Sequence, residues 1–209
     1  MNTATDYLLI VEDDPDILKL LDATLTFKGY RVITAHNGKE GLEAIRVKRP
    51  AIVIADIMMP QLDGFGLVHR IRINPQTRDI PVVFITATYV AREDREFALS
   101  IGATRFMQKP IDLDKFLAMI AELLETRMPT VVKPFNELDF YNEYRKRLEA
   151  KLDEKNKQIA RDEHLLKTDT EKEDPSLQAS LRHAIREREE LQLLLAQVHE
   201  QLEKYVKSK

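Results

Sequence analysis

Six polar side chains follow short apolar runs of the sequence, at points where buried strands would end. The run YLLIV at residues 7–11 leads to three acids, and AIVIA at residues 51–55 leads to a fourth. The run PVVFIT at residues 81–86 ends in a threonine, and ATRFM at residues 103–107 is followed closely by a Lys-Pro pair. The six residues are Glu12, Asp13, Asp14, Asp56, Thr86 and Lys109.

These residue types could bind a cation and a phosphate group together. Clustered carboxylates raise one another's pKa unless a cation lies among them, and Mg²⁺ prefers carboxylate oxygens together with phosphate oxygens and water. A lysine and a threonine are suitable partners for the phosphate. Any one such acid could equally be a helix cap or a turn former, but four sites at strand ends make that interpretation unlikely for the whole set.

The pattern of the first half predicts how these residues are positioned. Five apolar runs, the four above and YRVITA at residues 30–35, alternate with amphipathic stretches of helical spacing. This alternation predicts an α/β fold, a doubly wound five-stranded parallel sheet covered by helices on both faces. Such sheets bind ligands at the carboxyl ends of their strands, where the six residues stand.

The motifs of this half resemble the response-regulator receiver domain of two-component signalling, over about residues 6–127. The resemblance to the family's acidic pocket lies in LLIVEDDPDIL, and the resemblance to its phospho-acceptor segment lies in ADIMMPQLDGFGLVHRIR. The resemblance to the family's switch strand lies in IPVVFITA, and the resemblance to its closing Lys-Pro motif lies in GATRFMQKP. The resemblance therefore implies a flavodoxin-like receiver domain, which we place at residues 1–128.

The resemblance also implies a role for each site residue. Asp56 would accept a phosphoryl group from a histidine kinase in a Mg²⁺-dependent reaction, with Lys109 pairing with the acceptor and then with the phosphate. Thr86 would bond the phosphate and Phe106 would turn inward with it. The Lys109-Pro110 bond is expected to be cis. The implied metal ligands are Asp13 and Asp56 directly, Glu12 through water and the Met58 backbone carbonyl, with Asp14 as a further possibility.

These roles describe a switch and not an enzyme with an external substrate. The receiver would catalyse only its own phosphorylation and dephosphorylation. The aspartyl phosphate would bias the surface formed by the fourth helix, the fifth strand and the fifth helix.

The second half of the chain has a different composition. After a linker at residues 129–136, it contains no glycine, and its apolar residues follow a seven-residue a/d pattern. The predicted positions are Leu138, Tyr141, Leu148, Leu152, Ile159 and Leu166 before the break, and Leu177, Leu181, Ala184, Leu191, Leu195, Val198, Leu202 and Tyr205 after it. Three polar residues, Arg145, Lys155 and Asp162, interrupt this pattern, and KTDTEKEDPS at residues 167–176 breaks it. Asp174 and Pro175 suggest an N-cap followed by proline at the first helical position. The prediction for residues 137–209 is an all-α antiparallel two-helix coiled-coil hairpin.

The residues of this second half indicate its function less specifically than the motifs of the first half do. A lone two-helix hairpin buries little surface, which favours a homodimer through these helices or a helical protein partner. DNA binding is not expected, because residues 137–209 hold 15 Lys and Arg against 17 Asp and Glu, interspersed along the helices. An alternative function is a phosphorelay in which His183 exchanges phosphate with Asp56, although His183 lacks an adjacent acid in the sequence. The commoner interpretation of His183 is an exposed polar position.

The overall composition excludes several classes of protein. The net charge of −3 gives no general affinity for nucleic acid or anionic membranes, and the absence of cysteine rules out disulfides and Cys-based metal sites. The start of the chain lacks the basic region of a signal peptide, and no apolar run is long enough to cross a membrane. A cytoplasmic protein is the expectation.

Overall fold

The computed structural model describes residues 7–87, 91–126, 136–168 and 175–207. The chain divides into two units, residues 1–135 and residues 136–209. The linker predicted at residues 129–136 lies outside the described residues except for Asn136.

The first unit contains a five-stranded parallel sheet, as the sequence predicts. The strands are β1 (Tyr7–Val11), β2 (Arg31–Ala35), β3 (Ile52–Ala55), β4 (Val82–Thr86) and β5 (Arg105–Gln108), each within two residues of its predicted position. Their order in the sheet is β2-β1-β3-β4-β5. The helices are α1 (Pro15–Phe27), α2 (Gly38–Val47), α3 (Gly64–Ile73), α4 (Arg92–Ser100) and α5 (Leu113–Thr126).

Helices on this sheet bury the apolar positions that have helical spacing in the sequence. One face of the sheet packs in a core with α1 and α5, while Phe65, Phe84 and Phe97 from α3, β4 and α4 make edge-to-face ring contacts elsewhere in the unit. The central strands are completely buried, which explains their continuous apolar runs. The helical residues of that core are Leu18, Leu21, Leu25, Phe116, Ile120 and Leu123.

The strand β5 begins two residues later than predicted. Thr104 precedes it, and its hydroxyl oxygen accepts a hydrogen bond of 3.0 Å from the Val82 N–H. The Thr104 N–H in turn donates to the Val82 carbonyl at 2.7 Å. The Thr104 side chain thus takes the place of a backbone acceptor at this point. Regular strand pairing starts at Arg105, opposite Val83.

The second unit consists of two long helices that pack against each other, which confirms the predicted hairpin. They are α6 (Glu137–Thr168) and α7 (Pro175–Lys207). Helix α7 begins at the proline that was predicted to occupy its first position, while Asp174 lies outside the described residues. No helix within the described ranges is long and apolar enough to cross a membrane.

The contact positions of the hairpin differ in part from the predicted a/d pattern. Ile159, Ala184, Leu191 and Val198 are buried as predicted, together with Leu148. Near the start of α6, however, Phe140 and Tyr144 are buried, whereas the predicted positions Leu138, Tyr141 and Arg145 are only half-buried. Leu194 is likewise more deeply buried than the predicted Leu195. Phe140 and Tyr144 lie four residues apart on α6, and their ring centroids are 5.4 Å apart.

Candidate functional site

The sheet fixes Asp56 at the end of its central strand. The Asp56 N–H donates to the Val11 carbonyl at 2.9 Å, and Ala55 before it pairs with both neighbouring strands. Asp56 is buried, with 8 % of the residue exposed, and its Oδ1 accepts a hydrogen bond of 2.8 Å from the Ile57 N–H. The carboxylate is therefore held in one orientation at the rim of the sheet.

Lys109 reaches this rim from the end of β5. Its Nζ donates to both carboxylate oxygens of Glu12, at 3.1 and 2.9 Å, and lies 3.5 Å from Asp56 Oδ2. The Lys109 N–H donates to the Thr86 carbonyl at 2.9 Å, and the Lys109-Pro110 peptide bond is cis, as expected. One ammonium thus bridges carboxylates that follow two different strands.

Thr86 and Phe106 lie on the two strands beside this cation. Thr86 is fully buried at the end of β4, and its side chain makes a hydrogen bond with Asp56. Phe106 is half-buried on β5, opposite Phe84. The structure therefore brings the predicted hydroxyl to the predicted acceptor and places the predicted aromatic side chain on the adjacent strand.

Three carboxylates converge at the site. Glu12, Asp13 and Asp56 each offer one oxygen, and these oxygens lie within 4.8 Å of one another. Glu12 and Asp56 are buried, while Asp13 is exposed. This cluster of hard oxygen ligands with one exposed member suits a divalent cation that keeps part of its water shell.

The pKa values of these groups reflect their crowding. Burial, reinforced by the Asp56 charge, raises the pKa of Glu12 to about 7. Burial likewise raises the pKa of Asp56 to about 6, although Lys109 and the Ile57 N–H oppose the shift. Burial also raises the pKa of Asp13. For Lys109, burial acts to lower the pKa, but the charges of Asp56 and Glu12 outweigh it and raise the pKa.

Asp14 has a different position from the other acids. Its Oδ1 accepts hydrogen bonds from the N–H groups of Asp16 at 2.9 Å and Ile17 at 3.1 Å, which makes Asp14 the N-cap of α1. The converging carboxylates do not include Asp14. The third acid of the run thus caps the N-terminus of α1, the helix that follows β1.

The loop after Asp56 contains residues whose importance the sequence analysis did not recognise. Asp63 is fully buried and caps α3 by accepting the Gly66 N–H at 2.8 Å. A Cβ atom on Gly64 would lie 2.4 Å from the Asp56 carbonyl oxygen and 2.8 Å from the Ile57 Cα atom, so only glycine allows this close approach. The Asp-Gly pair in QLDGFG was a signal that could have indicated this contact. Met58, whose carbonyl is a predicted ligand, has a buried side chain.

Known proteins match this chain mainly over its first unit. The model of the response regulator receiver domain family matches residues 8–121. The probable transcriptional regulator ycf27 of Pyropia yezoensis is 36 % identical over 124 residues, which cover 59 % of this chain and 49 % of the relative. The transcriptional regulatory protein GlrR of Escherichia coli K12 is 36 % identical over 132 residues, covering 63 % of this chain and 29 % of the relative. The chain thus spans half the length or less of these two curated relatives.

Solved structures match the same region. A CheY-like response regulator receiver domain protein from Methanospirillum hungatei JF-1 has a TM-score of 0.54 and 29 % identity, with 58 % of this chain and 95 % of that chain covered. The receiver domain of NtrX from Brucella abortus has a TM-score of 0.53 and 31 % identity, with 57 % and 98 % covered. These matches account for the α/β unit and leave the helical hairpin without a family.

Proposed function

The chain belongs to the response regulator receiver domain family, and from this premise we propose that Asp56 accepts a phosphoryl group from a histidine kinase. The observation that carries the proposal is the convergence on one carboxylate of Lys109, Thr86 and two further acids. The proposed protein is a two-component response regulator whose receiver controls a helical output segment.

The proposed reaction moves one phosphoryl group between two side chains. An Asp56 oxygen attacks the phosphorus of the kinase phosphohistidine, an O–P bond forms, and the P–N bond breaks as the imidazole takes back its electron pair and a proton. Lys109 lies between Glu12 and Asp56 and stabilises the negative charge of the incoming phosphoryl oxygens. The Ile57 N–H holds the carboxylate in its orientation for attack.

The acids around Asp56 are suited to hold Mg²⁺. Glu12, Asp13 and Asp56 would supply carboxylate oxygens, and the Met58 carbonyl is the expected further ligand. Bound Mg²⁺ neutralises charge on a transferring phosphoryl group. The raised pKa values of Glu12 and Asp56 support this assignment, since a cation relieves the same repulsion that protons relieve.

The proposed switch starts at Thr86. Its hydroxyl bonds the Asp56 carboxylate before transfer, and a phosphoryl oxygen would replace this partner afterwards. Because the Thr86 carbonyl accepts the Lys109 N–H, a shift of the threonine is transmitted to the end of β5. Phe106 on that strand would follow, altering the surface of α4, β5 and α5.

The proposed output is a protein contact and not DNA binding. The charges of α6 and α7 form many pairs within each helix, such as Lys146–Glu143 and Lys204–Glu200, and do not form a basic face. The two relatives described above, which are named as transcriptional regulators, match this chain over 49 % and 29 % of their length. We place the protein in the cytoplasm with its kinase, as a homodimer through the hairpin, and assign it no catalysis beyond its own phosphorylation and dephosphorylation.

The direct test is phosphorylation of the full chain by acetyl phosphate with Mg²⁺, followed by intact mass spectrometry. The wild-type chain should gain one phosphoryl group, and Asp56→Asn should gain none. Asp79→Asn is the matched control, because Asp79 is exposed and pairs with Arg49 at 2.8 Å, outside the acidic cluster. Equal labelling of Asp56→Asn and the wild-type chain would refute the proposal.

A phosphorelay through His183 is the second candidate function. His183 is 71 % exposed at its side chain, and its Nε2 lies 3.5 Å from Glu187 Oε2. The sequence offers no acid next to His183, but the helix supplies one a single turn further on. The two candidates differ in chemistry, because phosphohistidine is labile in acid and phosphoaspartate is labile in base. Acid-labile phosphate that disappears in His183→Gln would favour the relay.

A further inference from the structure

We propose that two cross-helix polar pairs fix the register of the α6–α7 hairpin, which closes within one chain. Lys155 Nζ lies 2.6 Å from Glu187 Oε2, and the Ser180 hydroxyl donates to Asp162 Oδ2 at 3.2 Å. Lys155 and Asp162 are the residues that interrupt the a/d pattern of α6. Each therefore has a partner on α7.

The two pairs belong to a single antiparallel register. Moving seven residues forward along α6, from Lys155 to Asp162, corresponds to moving seven residues back along α7, from Glu187 to Ser180. Both charges of the ion pair are largely removed from water, since their side chains are only 14 % and 12 % exposed. A charge in such a position is costly unless its partner remains in place.

A shift of one heptad in either direction separates these partners. In one direction Glu187 lies opposite Asp162, which places two carboxylates together. In the other direction Glu187 lies opposite Leu148, which is fully buried and offers no cation. Apolar a/d contacts between α6 and α7 alone would tolerate both shifts. The polar pairs make each shifted register less stable, because each shift separates Lys155 from Glu187.

The environment of Glu187 strengthens this assignment. His183 Nε2 lies 3.5 Å from the same Oε2 atom that Lys155 contacts. Lys155 donates a hydrogen bond to Gln158 Oε1 at 3.2 Å within α6. The glutamate therefore contacts polar groups on both helices in the observed register, and the lysine keeps two partners.

This register has a consequence for how two chains can meet. A pair of chains that exchanged helices in a shifted register would bury Glu187 without Lys155. In the observed hairpin both pairs form within one chain. We expect each chain to close its own hairpin in this way, so that a second chain can contact only the outer faces of α6 and α7. The inference rests on the hairpin itself and does not depend on phosphorylation of Asp56.

The register can be tested with spin labels, because the chain contains no cysteine and introduced cysteines are therefore its only labelling sites. Spin labels attached through Arg161→Cys and Gln197→Cys, both exposed positions, should give one distance by pulsed electron paramagnetic resonance. In the observed register these sites are about 24 Å apart along the hairpin axis, at 1.5 Å per residue, and a one-heptad shift changes this by about 10 Å. The same distance should persist when labelled chains are diluted with unlabelled chains.

Charge reversal tests the ion pair. Glu187→Lys should add a distance shifted by about 10 Å or abolish the single distance, and Lys155→Glu combined with Glu187→Lys should restore it. Glu200→Lys is the control, because Glu200 is 62 % exposed and pairs along α7 with Lys204. If Glu187→Lys keeps the single distance, or if the double variant fails to restore it, the proposal is wrong.

A variant with an apolar seam keeps the test decisive if charge reversal simply unfolds the hairpin. Lys155→Leu, Glu187→Leu, Asp162→Leu and Ser180→Ala together should retain full helicity by circular dichroism but give more than one distance, or lose the distance on dilution. A helical quadruple variant that gives the wild-type distance, unchanged by dilution, would overturn the proposal.

Discussion

At the residue scale, the site is controlled by the balance between three carboxylates and one ammonium. Lys109 cannot fully compensate Glu12, Asp13 and Asp56, which explains why burial and mutual repulsion raise the pKa of Glu12 and Asp56. A proton or a divalent cation can supply the missing positive charge. The site should therefore couple the stability of the fold to pH and to Mg²⁺.

Without divalent cations, the free energy of unfolding should fall as pH rises from about 4 to about 7. The folded chain holds protons on Glu12 and Asp56 up to pH values of about 7 and about 6, whereas the unfolded chain releases them near their ordinary values. Stability is thus full below the unfolded pKa values and is lost through this window, by on the order of 1–3 kcal/mol. Urea unfolding at several pH values should show this slope, and Mg²⁺ should flatten it.

Two variants check the origin of this slope. Glu12→Gln removes the carboxyl group whose pKa is raised further and should give a shallower dependence on pH. Glu43→Gln is the matched control, because Glu43 is 63 % exposed and pairs with Arg46 on the surface. A slope that Mg²⁺ and Glu12→Gln both leave unchanged would show that other groups control it.

At the element scale, Arg72 connects three segments at the end of the sheet away from Asp56. Its Nε and Nη2 donate to the Gly102 carbonyl at 2.9 and 2.6 Å. Its Nη1 donates to the carbonyl oxygens of Ile80 at 2.8 Å and Arg78 at 3.1 Å. Gly102 has a φ of +106°, and a Cβ atom there would lie 2.7 Å from the Arg72 Nε. The end of α4 is thereby fixed to α3 and to the start of β4.

Arg72→Met should lower the free energy of unfolding by about 2–4 kcal/mol, because it leaves buried carbonyl groups without a donor. Urea unfolding measures this loss. Arg70→Met is the control, since Arg70 is exposed on the same helix and its replacement should change stability by less than about 0.5 kcal/mol. Equal effects of the two substitutions would contradict the role of Arg72.

The switch elements depend on Thr86. Thr86→Ala should still accept phosphate on Asp56 but should lose the response of α4, β5 and α5 to beryllofluoride, because the hydroxyl that bonds the acceptor is gone. Hydrogen exchange of peptides from these elements measures the response. Thr86→Ser keeps the hydroxyl and should keep the response. A full response in Thr86→Ala would assign the signal to another residue.

At the scale of the whole molecule, the chain joins a receiver unit to a hairpin with apolar side chains on its outer faces. Leu165 on α6 and Leu193 and Val206 on α7 are 48, 66 and 71 % exposed, so the hairpin leaves these side chains uncovered. The proposed homodimer therefore requires outer surfaces of the hairpin that its own fold leaves uncovered.

Light scattering on a sizing column should give twice the 24.2 kDa of one chain. Leu193→Glu should shift the protein toward the monomer, while Gln192→Glu, at an exposed neighbouring position, should not. A beryllofluoride-dependent mass that Asp56→Ala abolishes would place association under receiver control. A constant dimer would make the hairpin a fixed platform, and a monomer at all concentrations would contradict the proposed dimer.

The sequence determined the elements and most of the site. Alternating apolar runs predicted the sheet because the period of a strand and the period of a helix are local properties. The polar residues after Val11, Ala55 and β5 could be grouped because parallel strands end at one edge. The heptad pattern likewise predicted two helices and their break.

Only the tertiary structure decided how these residues share their contacts. It separated Asp14, which caps α1, from Glu12 and Asp13, because capping depends on backbone geometry that residue type alone does not reveal. It gave Lys155 and Asp162 partners on α7, since pairing across helices depends on register. Periodicity specifies which residues face inward, whereas long-range packing specifies what each of them meets there.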